Sequence, residues 1–330
     1  MKGLYVSPSP HRASELSTAK IMLTVIIALM PSAITGCAFF GPRAAAVLAM
    51  CVCCCVVFEY LCRVIMKKDQ TVSDLSAIVT GLLLGMNLPA TVPLYVAAIG
   101  SFVAIVIVKQ LFGGMGQNFA NPAIAARIVL MLSFAGQMSG WVKPYWYTSV
   151  VDAETSATPL AAEWLTFTEN GVTYKMAPFT LGEMFFGETG GCIGETCAAA
   201  LILGGLFLII CRVISPAAPL AYIGSFALLT FIYTGSPVET LYGVLAGGLL
   251  IGAFFMATDY ATTPITFKGK LIFGLGCGII TFVIRSFGSY PEGVSFSILL
   301  MNLLTPYIDR LTGTAPLGAK KPEKKKKEVA

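Results

Sequence analysis

Long apolar runs separated by short polar turns occupy residues 20–139 and 192–310 of the chain. A bilayer core of about 30 Å needs about 20 apolar residues per helix. The pattern therefore predicts an all-α polytopic membrane protein with about ten transmembrane helices. The predicted spans are Lys20–Phe40, Ala44–Met66, Asp74–Leu88, Pro93–Phe112, Pro122–Met138, Thr196–Ile214, Ala217–Thr234, Val238–Ala257, Lys270–Arg285 and Pro291–Ile308.

The ten predicted spans form two similar halves of five. The sequence Gly81–Gly85 (GLLLG) resembles Gly248–Gly252 (GLLIG), and each is followed by a Thr/Pro-rich turn, an apolar span and a Phe-Gly break. Because five is odd, the halves must face opposite ways in the membrane, as in inverted-repeat transporters. The third span is short, so the prediction includes broken or re-entrant helices. The Gly-xxx-Gly pairs are expected at close helix contacts.

Composition supports the membrane assignment. The chain of 330 residues is 56% hydrophobic and 12% charged, with a mean hydropathy of +0.79. A soluble domain carries about 25% charged residues, so this chain has too little polar surface to cover a globule in water. No small-residue cleavage site follows the first apolar run, which is therefore predicted to be a retained span.

The distribution of Lys and Arg orients the chain under the positive-inside rule. It predicts a cytoplasmic arm at 1–19, a first transmembrane half at 20–139, an extracytoplasmic loop at 140–191, a second transmembrane half at 192–310, and a disordered basic cytoplasmic tail at 311–330. The expected location is the bacterial inner (cytoplasmic) membrane, with many passes. The lysine tail suits anionic lipid headgroups, and nucleic acid is not an expected partner.

Ten cysteines lie mostly in or beside apolar runs, which favours packing over chemistry. A redox or iron–sulfur role is kept open for Cys192 and Cys197. His11 is the single histidine, and no metal site is predicted.

Two Gly-rich breaks, residues 113–122 and 187–196, each lead into a predicted helix. Each fits either a tight turn between packed helices or a site for an anion or phosphate at a helix N-terminus. Four ionisable residues fall in or beside predicted spans: Glu59, Arg127, Asp259 and Arg285. Charges inside a membrane are costly. Arg127 is the deepest and is expected to face a polar pocket or pair with an acid; the others are close enough to span ends to be wet.

The polar loop carries the most specific candidate chemistry. Thr155, Ser156 and Thr158 present three hydroxyls beside Ala157, and Pro159 biases Thr158 toward an extended backbone. An ordinary Ser/Thr/Pro loop is the alternative. All three tryptophans flank this run, namely Trp141, Trp146 and Trp164. They fit an interfacial aromatic belt or stacking against a planar ring.

Six segments, in order over nearly the whole chain, carry a resemblance to a known family: Ser9–His11, Gly113–Pro122 (GGMGQNFANP), Ser156–Leu160 (SATPL), Gly190–Thr196 (GGCIGET), Ala257–Ile265 (ATDYATTPI) and Arg285–Asn302 (RSFGSYPEGVSFSILLMN). On these segments the chain resembles the flavin-carrying membrane proteins of the NqrB/RnfD family. RnfD belongs to the Rnf complex, and NqrB to the sodium-pumping NADH:quinone reductase. The short polar N-terminus favours the Rnf type.

The resemblance implies an FMN joined through its phosphate to a threonine hydroxyl at the end of a Ser/Thr-Gly-Ala-Thr motif. Here Thr155, Ser156, Ala157 and Thr158 occupy the motif, with Ser156 in place of the usual glycine and Thr158 as the attachment residue. Trp164 is expected near the cofactor. The resemblance also links the family to a noncovalent riboflavin.

The implied function is an electron-transfer component of an ion-pumping ferredoxin:NAD⁺ oxidoreductase, a translocase. The implied partners are membrane lipid and the other proteins of the Rnf complex, RnfA, RnfB, RnfC, RnfE and RnfG. The alternative is an inverted-repeat solute channel or secondary transporter without a redox cofactor, since fold alone does not fix function. A scaffold without cofactor is a third interpretation. The residues leave the pumped ion, Na⁺ or H⁺, open.

Overall fold

A computed structural model describes residues 17–148, 158–160, 165–169, 172–288 and 292–313. Its helices are α1 (Thr18–Phe40), α2 (Pro42–Ile65), α3 (Ser76–Met86), α4 (Leu94–Phe102, continued by π-helix Val103–Gln110), α5 (Pro122–Ser133), α6 (Ala135–Met138), α7 (Leu181–Phe186), α8 (Ala198–Ile210), α9 (Ala217–Thr234), α10 (Pro237–Leu245), α11 (Leu249–Ile251, continued by π-helix Gly252–Met256), α12 (Phe267–Phe287) and α13 (Val294–Thr312). Short 3₁₀ turns lie at Val72–Asp74 and Trp146–Thr148.

Each of the ten predicted spans overlaps at least one of these helices, and two spans overlap two, but the helices differ in length. Within the described residues, α1, α2, α9 and α12 are long and apolar enough to cross a membrane. A fifth crossing is possible if α10 and α11 with its π-helix, bent by 67°, count as one. Four shorter apolar helices are α3, α4 with its π-helix, α5 and α8. The 11 residues of α3 rise about 16 Å, roughly half a hydrocarbon core. The structure is thus that of a polytopic helical protein with several partial-length helices.

A short hairpin departs from the all-helical prediction. Strands β1 (Leu165–Glu169) and β2 (Val172–Met176) pair antiparallel, with Leu165 opposite Met176. The hairpin lies in the polar loop, for which no strand was predicted. The residues alternate between apolar and polar over this stretch, a pattern that is typical of strands.

Local sequence signals explain where several helices begin and end. The Asn121 side chain accepts a hydrogen bond from the Ala123 amide at 3.0 Å, and Pro122 is the first residue of α5. This confirms the predicted helix start at Asn-Pro. Between α1 and α2, Gly41 has φ +78°, a conformation that glycine adopts without strain. The turn it makes brings the two helices side by side.

The outer surface of the bundle is apolar. Large apolar side chains are well exposed on long and short helices alike, among them Leu203 at 64%, Ile210 at 78%, Leu220 at 67% and Ile232 at 69%. A water-soluble protein rarely exposes apolar area on this scale. The exposed faces fit contact with lipid, and the buried faces hold the polar groups described below.

The helices before and after the polar loop pack in matching ways. Before the loop, α2 packs on α3 and α4, and α5 packs on the π-helix after α4. After the loop, α9 packs on α10 and α12, and α13 packs on α12. Gly81 allows α3 to approach the backbone of α2 closely, because an added Cβ would lie 2.7 Å from Val52 Cα. Helices α1 and α8 pack against each other between the two sets, with Gly204 against the Ala28 carbonyl.

Candidate functional site

Two cavities lie at opposite ends of helices α8 and α13. The Thr158 cavity, of about 50 Å³, adjoins the start of both helices, and its lining includes Trp141, Thr158, Glu195, Thr196 and Glu292. The Lys109 cavity, of about 400 Å³, adjoins their other ends, and its lining includes Ser76, Thr80, Lys109, Asn121, Asp259 and Asp309. Seventeen residues separate Glu292 from Asp309 along α13, which corresponds to roughly 25 Å of helix.

Thr158 is half-buried at the Thr158 cavity, followed by the buried Pro159. The other residues predicted for the cofactor, Thr155, Ser156, Ala157 and Trp164, lie outside the described residues. Trp141, half-buried, lines the same cavity as Thr158. A tryptophan therefore does lie beside the predicted attachment residue, and it is Trp141.

Next to the Thr158 cavity, a buried guanidinium joins four segments of the chain. Arg127, on α5, is 2% exposed. Its Nη2 donates to Glu195 Oε1 at 2.9 Å and to Glu292 Oε2, and its Nη1 donates to Asn87 Oδ1. The prediction that Arg127 pairs with an acid is confirmed, with two acids in place of one. We call Asn87, Arg127, Cys192, Glu195 and Glu292 the Arg127 cluster.

Each acid, amide and thiol of the cluster comes from a break in regular structure. Asn87 caps the C-terminal end of α3, and Glu292 precedes α13. Cys192 and Glu195 lie in the Gly-rich segment before α8, whose Gly194 amide donates to the Met86 carbonyl at 2.8 Å. That hydrogen bond ties the segment to the end of α3. The second Gly-rich break therefore holds charged side chains in place.

Gly248 leaves room for the two carboxylates. A Cβ at this position would lie 2.8 Å from Glu292 Oε1 and 2.9 Å from Glu195 Oε1. The sequence prediction treated Gly248 as a helix-contact glycine. That interpretation suits Gly81 but is wrong for Gly248, whose missing side chain admits the acids.

The Cys192 thiol serves the cluster as a hydrogen-bonding group. It receives a hydrogen bond from Arg127 Nη2 at 3.3 Å and donates to the Asn87 carbonyl at 3.2 Å. Burial raises the pKa of this thiol well above its usual value, so the thiol stays protonated. Among the described residues no three His, Cys, Asp or Glu side chains are grouped as metal ligands.

Arg285 supplies a second positive charge near the Thr158 cavity. Its guanidinium donates to the carbonyls of Gly243 at 2.7 Å and Ala246 at 3.1 Å. These carbonyls end α10, where the chain bends into α11. Arg285 lies over the Phe226 ring, 5.0 Å from its centroid. It is half-buried, as expected of a residue near the end of a span.

A second buried ion pair borders the Lys109 cavity. Lys109 Nζ donates to Glu59 Oε2 and to Ser76 Oγ, both at 2.8 Å, and Thr71 donates to Glu59 Oε1 at 2.7 Å. We call the ion pair of Lys109 and Glu59, together with the Ser76 and Thr71 hydroxyls bound to it, the Lys109 pair. Glu59 is 1% exposed, so the prediction that it is wet is wrong. The error arose because Lys109, its partner, lies 50 positions away and sequence position alone does not show the pairing.

Asp259 adds a carboxylate to the wall of the Lys109 cavity. Burial raises the pKa of Asp259, and the hydroxyl of Thr262, which donates to it at 3.2 Å, opposes the rise. The cavity thus combines an ammonium group, a carboxylate and amide side chains with apolar walls. This mixture is typical of pockets for small organic ligands.

Sequence reasoning singled out Thr158, which lines this cavity, and Arg127, but gave no role to Glu195, Thr196 or Glu292. The sequence did carry a signal for them. A buried Arg127 needs acidic partners, and acids stand in the polar breaks between apolar runs. Glu195 stands in GGCIGET and Glu292 in SYPEG, both outside apolar runs.

Comparison with known proteins gives consistent matches over the full length. Residues 5–318 match the model of the NQR2, RnfD, RnfE family. The chain is 45% identical to the D component of the Na⁺-translocating ferredoxin:NAD⁺ oxidoreductase complex of Acetobacterium woodii, covering 98% of each chain. It is 44% identical to the D component of the proton-translocating ferredoxin:NAD⁺ oxidoreductase complex of Clostridium ljungdahlii, covering 96% of each. It is 36% identical to the D component of the ion-translocating oxidoreductase complex of Stutzerimonas stutzeri, covering 89% of this chain and 90% of that one.

Proposed function

Since the chain belongs to the NQR2, RnfD, RnfE family, we propose that it is the RnfD component of an ion-pumping ferredoxin:NAD⁺ oxidoreductase. In this role it carries electrons through an FMN attached to Thr158. Its partners are the other proteins of the Rnf complex, RnfA, RnfB, RnfC, RnfE and RnfG. It works as a multi-pass protein of the bacterial cytoplasmic membrane. The names of relatives that are 45% and 44% identical over nearly their whole length support the assignment to such a complex.

The position of Thr158 supports the attachment. Thr158 is half-buried, so its segment is anchored to the bundle while part of the residue stays accessible. The adjoining cavity, about 50 Å³, is far smaller than the roughly 300 Å³ at which pockets for organic ligands begin. It fits a water or an ion beside the attachment point, and a flavin ring belongs outside it. The site is therefore compatible with a flavin that is tethered at Thr158 and whose ring lies outside the cavity.

The protein residues at this site supply position and charge. When bound, an FMN supplies one- and two-electron transfer, and the protein sets its surroundings. Thr158 would hold the phosphate end through its hydroxyl oxygen, and Trp141, which lines the same cavity, would be the aromatic side chain beside it. Arg127 and Arg285 hold positive charge near the tether, balanced by Glu195 and Glu292.

We also propose that the two halves form an inverted repeat of five spans each, with ten in all. Matching helices run in opposite directions between the two cavities. Helix α3 runs from Ser76, at the Lys109 cavity, to Asn87 in the Arg127 cluster; α11 and its π-helix run from beside the cluster to Phe255, at the Lys109 cavity. Helices α5 and α13 also run in opposite directions: α5 starts at the Lys109 cavity, and α13 ends there. With α1 starting on the cytoplasmic side, the Thr158 cavity faces outward.

A noncovalent riboflavin is best accommodated in the Lys109 cavity. Its volume of about 400 Å³ lies within the range for organic ligands, and its walls include Phe255 and Tyr260. Thr80 contributes to the wall while its hydroxyl donates to the Ser76 carbonyl of the same helix at 2.9 Å. We expect Thr80→Leu to narrow the cavity and lower the riboflavin released by denaturing the purified complex. Unchanged riboflavin content would place it elsewhere.

The test of the covalent flavin is fluorescence of the denatured polypeptide. We expect a fluorescent band at 34.9 kDa after electrophoresis under denaturing conditions, which Thr158→Ala abolishes. Thr148→Ala is the matched control, since it removes an exposed hydroxyl of the same polar loop outside the motif and is expected to keep the band. Absence of fluorescence from the unaltered chain in active complex would instead favour the channel or transporter alternative.

A further inference from the structure

We propose that the C-terminal end of α2 and the loop after the first π-helix bind the phosphate of an anionic phospholipid, with Arg63 and Gln110 as its ligands. We call Arg63, Gln110 and Gly114, which lies between them, the Arg63 site. Neither Arg63 nor Gln110 lines the Thr158 cavity or the Lys109 cavity. The inference therefore does not depend on either flavin.

Arg63 is a buried cation without a counter-ion. It lies in the last turn of α2 and is 9% exposed. Among the described residues it forms no salt bridge, and its Nε has no hydrogen-bond partner. Glu59, one turn earlier on α2, is already taken, because Lys109 and Thr71 each donate to one of its oxygens. A water molecule can complete a hydrogen bond of Arg63, but it does not neutralise the charge, and a buried charge is costly unless it is paired.

Gln110 brings a second donor to the same place. It is the last residue of the π-helix and is 1% exposed, and neither its Oε1 nor its Nε2 has a partner among the described residues. Gly114, with φ +103°, lies between the two side chains: an added Cβ would overlap Arg63 Nη2 and would lie 3.8 Å from Gln110 Oε1. A guanidinium and an amide thus meet at one glycine without bonding to each other. Both groups donate hydrogen bonds that suit the oxygens of a phosphate.

The apolar surroundings favour a lipid phosphate over a soluble one. Ile65 is 77% exposed and Leu111 is 65% exposed, and each lies within three residues of a member of the site. Phe112 and Phe119 are also exposed, and their ring centroids lie 4.8 Å apart. Aromatic rings beside basic residues are typical of the headgroup level of a membrane. Acyl chains would cover these side chains, whereas a phosphate in solution would leave them bare.

The charges that follow Arg63 also favour an anion. Lys67 and Lys68 are exposed at the end of α2, and the acids nearest in sequence after them are Asp69 and Asp74. Residues 60–76 therefore carry three cations against two acids. None of the five forms a salt bridge among the described residues. Basic residues beside a membrane attract anionic headgroups.

Cross-linking of the assembled complex by a photoactivatable phosphatidylglycerol in liposomes tests this proposal. We expect lipid adducts on the peptides that contain residues 60–68 and 110–119, and fewer with a photoactivatable phosphatidylcholine. Arg63→Met is expected to raise the lipid concentration for half-maximal labelling by about tenfold or more, since a hydrogen bond to a charged group is lost. Lys68→Met is the matched control, because it removes one exposed positive charge from the same helix end and is expected to change labelling little.

Gln110→Leu tests the site without removing a charge, and it decides the question if Arg63→Met does not assemble. Leucine can replace an idle buried amide without loss. An amide that binds the lipid phosphate cannot be replaced in this way, so we expect labelling of the same peptides to need more phosphatidylglycerol. Unchanged labelling in Gln110→Leu would contradict the proposed ligand set.

Three further results would overturn the proposal. Equal labelling by the two lipids, or an equal loss in Lys68→Met and Arg63→Met, would show that no specific headgroup site exists. Suppression of the labelling by inorganic phosphate at concentrations matching the lipid would assign the site to a soluble anion. Loss of a partner protein from Arg63→Met with labelling unchanged would mean that Arg63 binds an acid of that protein.

Discussion

The two buried ion networks at opposite ends of the bundle differ in how completely their members are paired. In the Lys109 pair, Lys109 bonds to Glu59 and Ser76, and the other Glu59 oxygen accepts from Thr71. In the Arg127 cluster one guanidinium serves two carboxylates, while Arg127 Nε and Glu292 Oε1 have no partner among the described residues. Both oxygens of the Glu59 carboxylate therefore have a partner, whereas one oxygen of the Glu292 carboxylate has none among the described residues.

This difference separates a structural role from a functional one. The Glu59 carboxylate, with a partner for each oxygen, needs no further ligand, and breaking such a buried pair is costly. An incomplete network keeps unsatisfied atoms at a cost, and such atoms in native proteins call for a specific explanation. The cavity that the incomplete network borders is also the one that holds Thr158. The contacts within the Lys109 pair are therefore explained by structure alone, whereas the unpaired atoms of the Arg127 cluster call for a further partner.

The largest effect is expected from Arg127→Met. It leaves two buried carboxylates without their shared cation, and breaking one buried pair already costs about 3 to 5 kcal/mol. We expect the purified protein to unfold at a markedly lower temperature and to assemble poorly. Thermal unfolding followed by tryptophan fluorescence measures this. A variant as stable as the unaltered chain would show that the cluster does not hold the four segments together.

A smaller effect is expected from Lys109→Met, because a single carboxylate loses its cation and Thr71 still donates to it. The expected cost is about 3 to 5 kcal/mol. The double variant Glu59→Met/Lys109→Met is expected to recover most of the loss, since apolar side chains can replace a closed buried pair at little cost. The same unfolding experiment compares the three chains. A double variant no better than the single one would mean that the pair does more than hold structure.

The sequence predicted the helical segments well because apolar length and helix starts are local properties. Asn121-Pro122 begins α5 as expected, and the GLLLG segment packs closely on α2. It could not separate complete spans from partial ones, because apolar length does not reveal where a helix breaks. The bend after α10 follows from Gly247, with φ +64°, and from the Arg285 hydrogen bonds to the end of that helix.

The site could be predicted only in part, since its members are joined by contacts over long sequence distances. The pairing of Arg127 was predicted from its depth in an apolar span, and Thr158, predicted from its motif, lies at the same cavity. Glu195 and Glu292 lie 68 and 165 positions from Arg127 along the chain, and only the fold brings them to it. Trp141 lies at Thr158 in the described structure, and the prediction for Trp164 stays a prediction because that residue lies outside the described residues.

The most direct measurement is the mass of the proteolytic peptide containing Thr158, from complex that is active in electron transfer. We predict that this peptide carries the added mass of one FMN joined as a phosphoester, with fragmentation assigning it to Thr158. An unmodified peptide in active complex would contradict the electron-carrying role, because that role depends on the bond between Thr158 and the flavin phosphate.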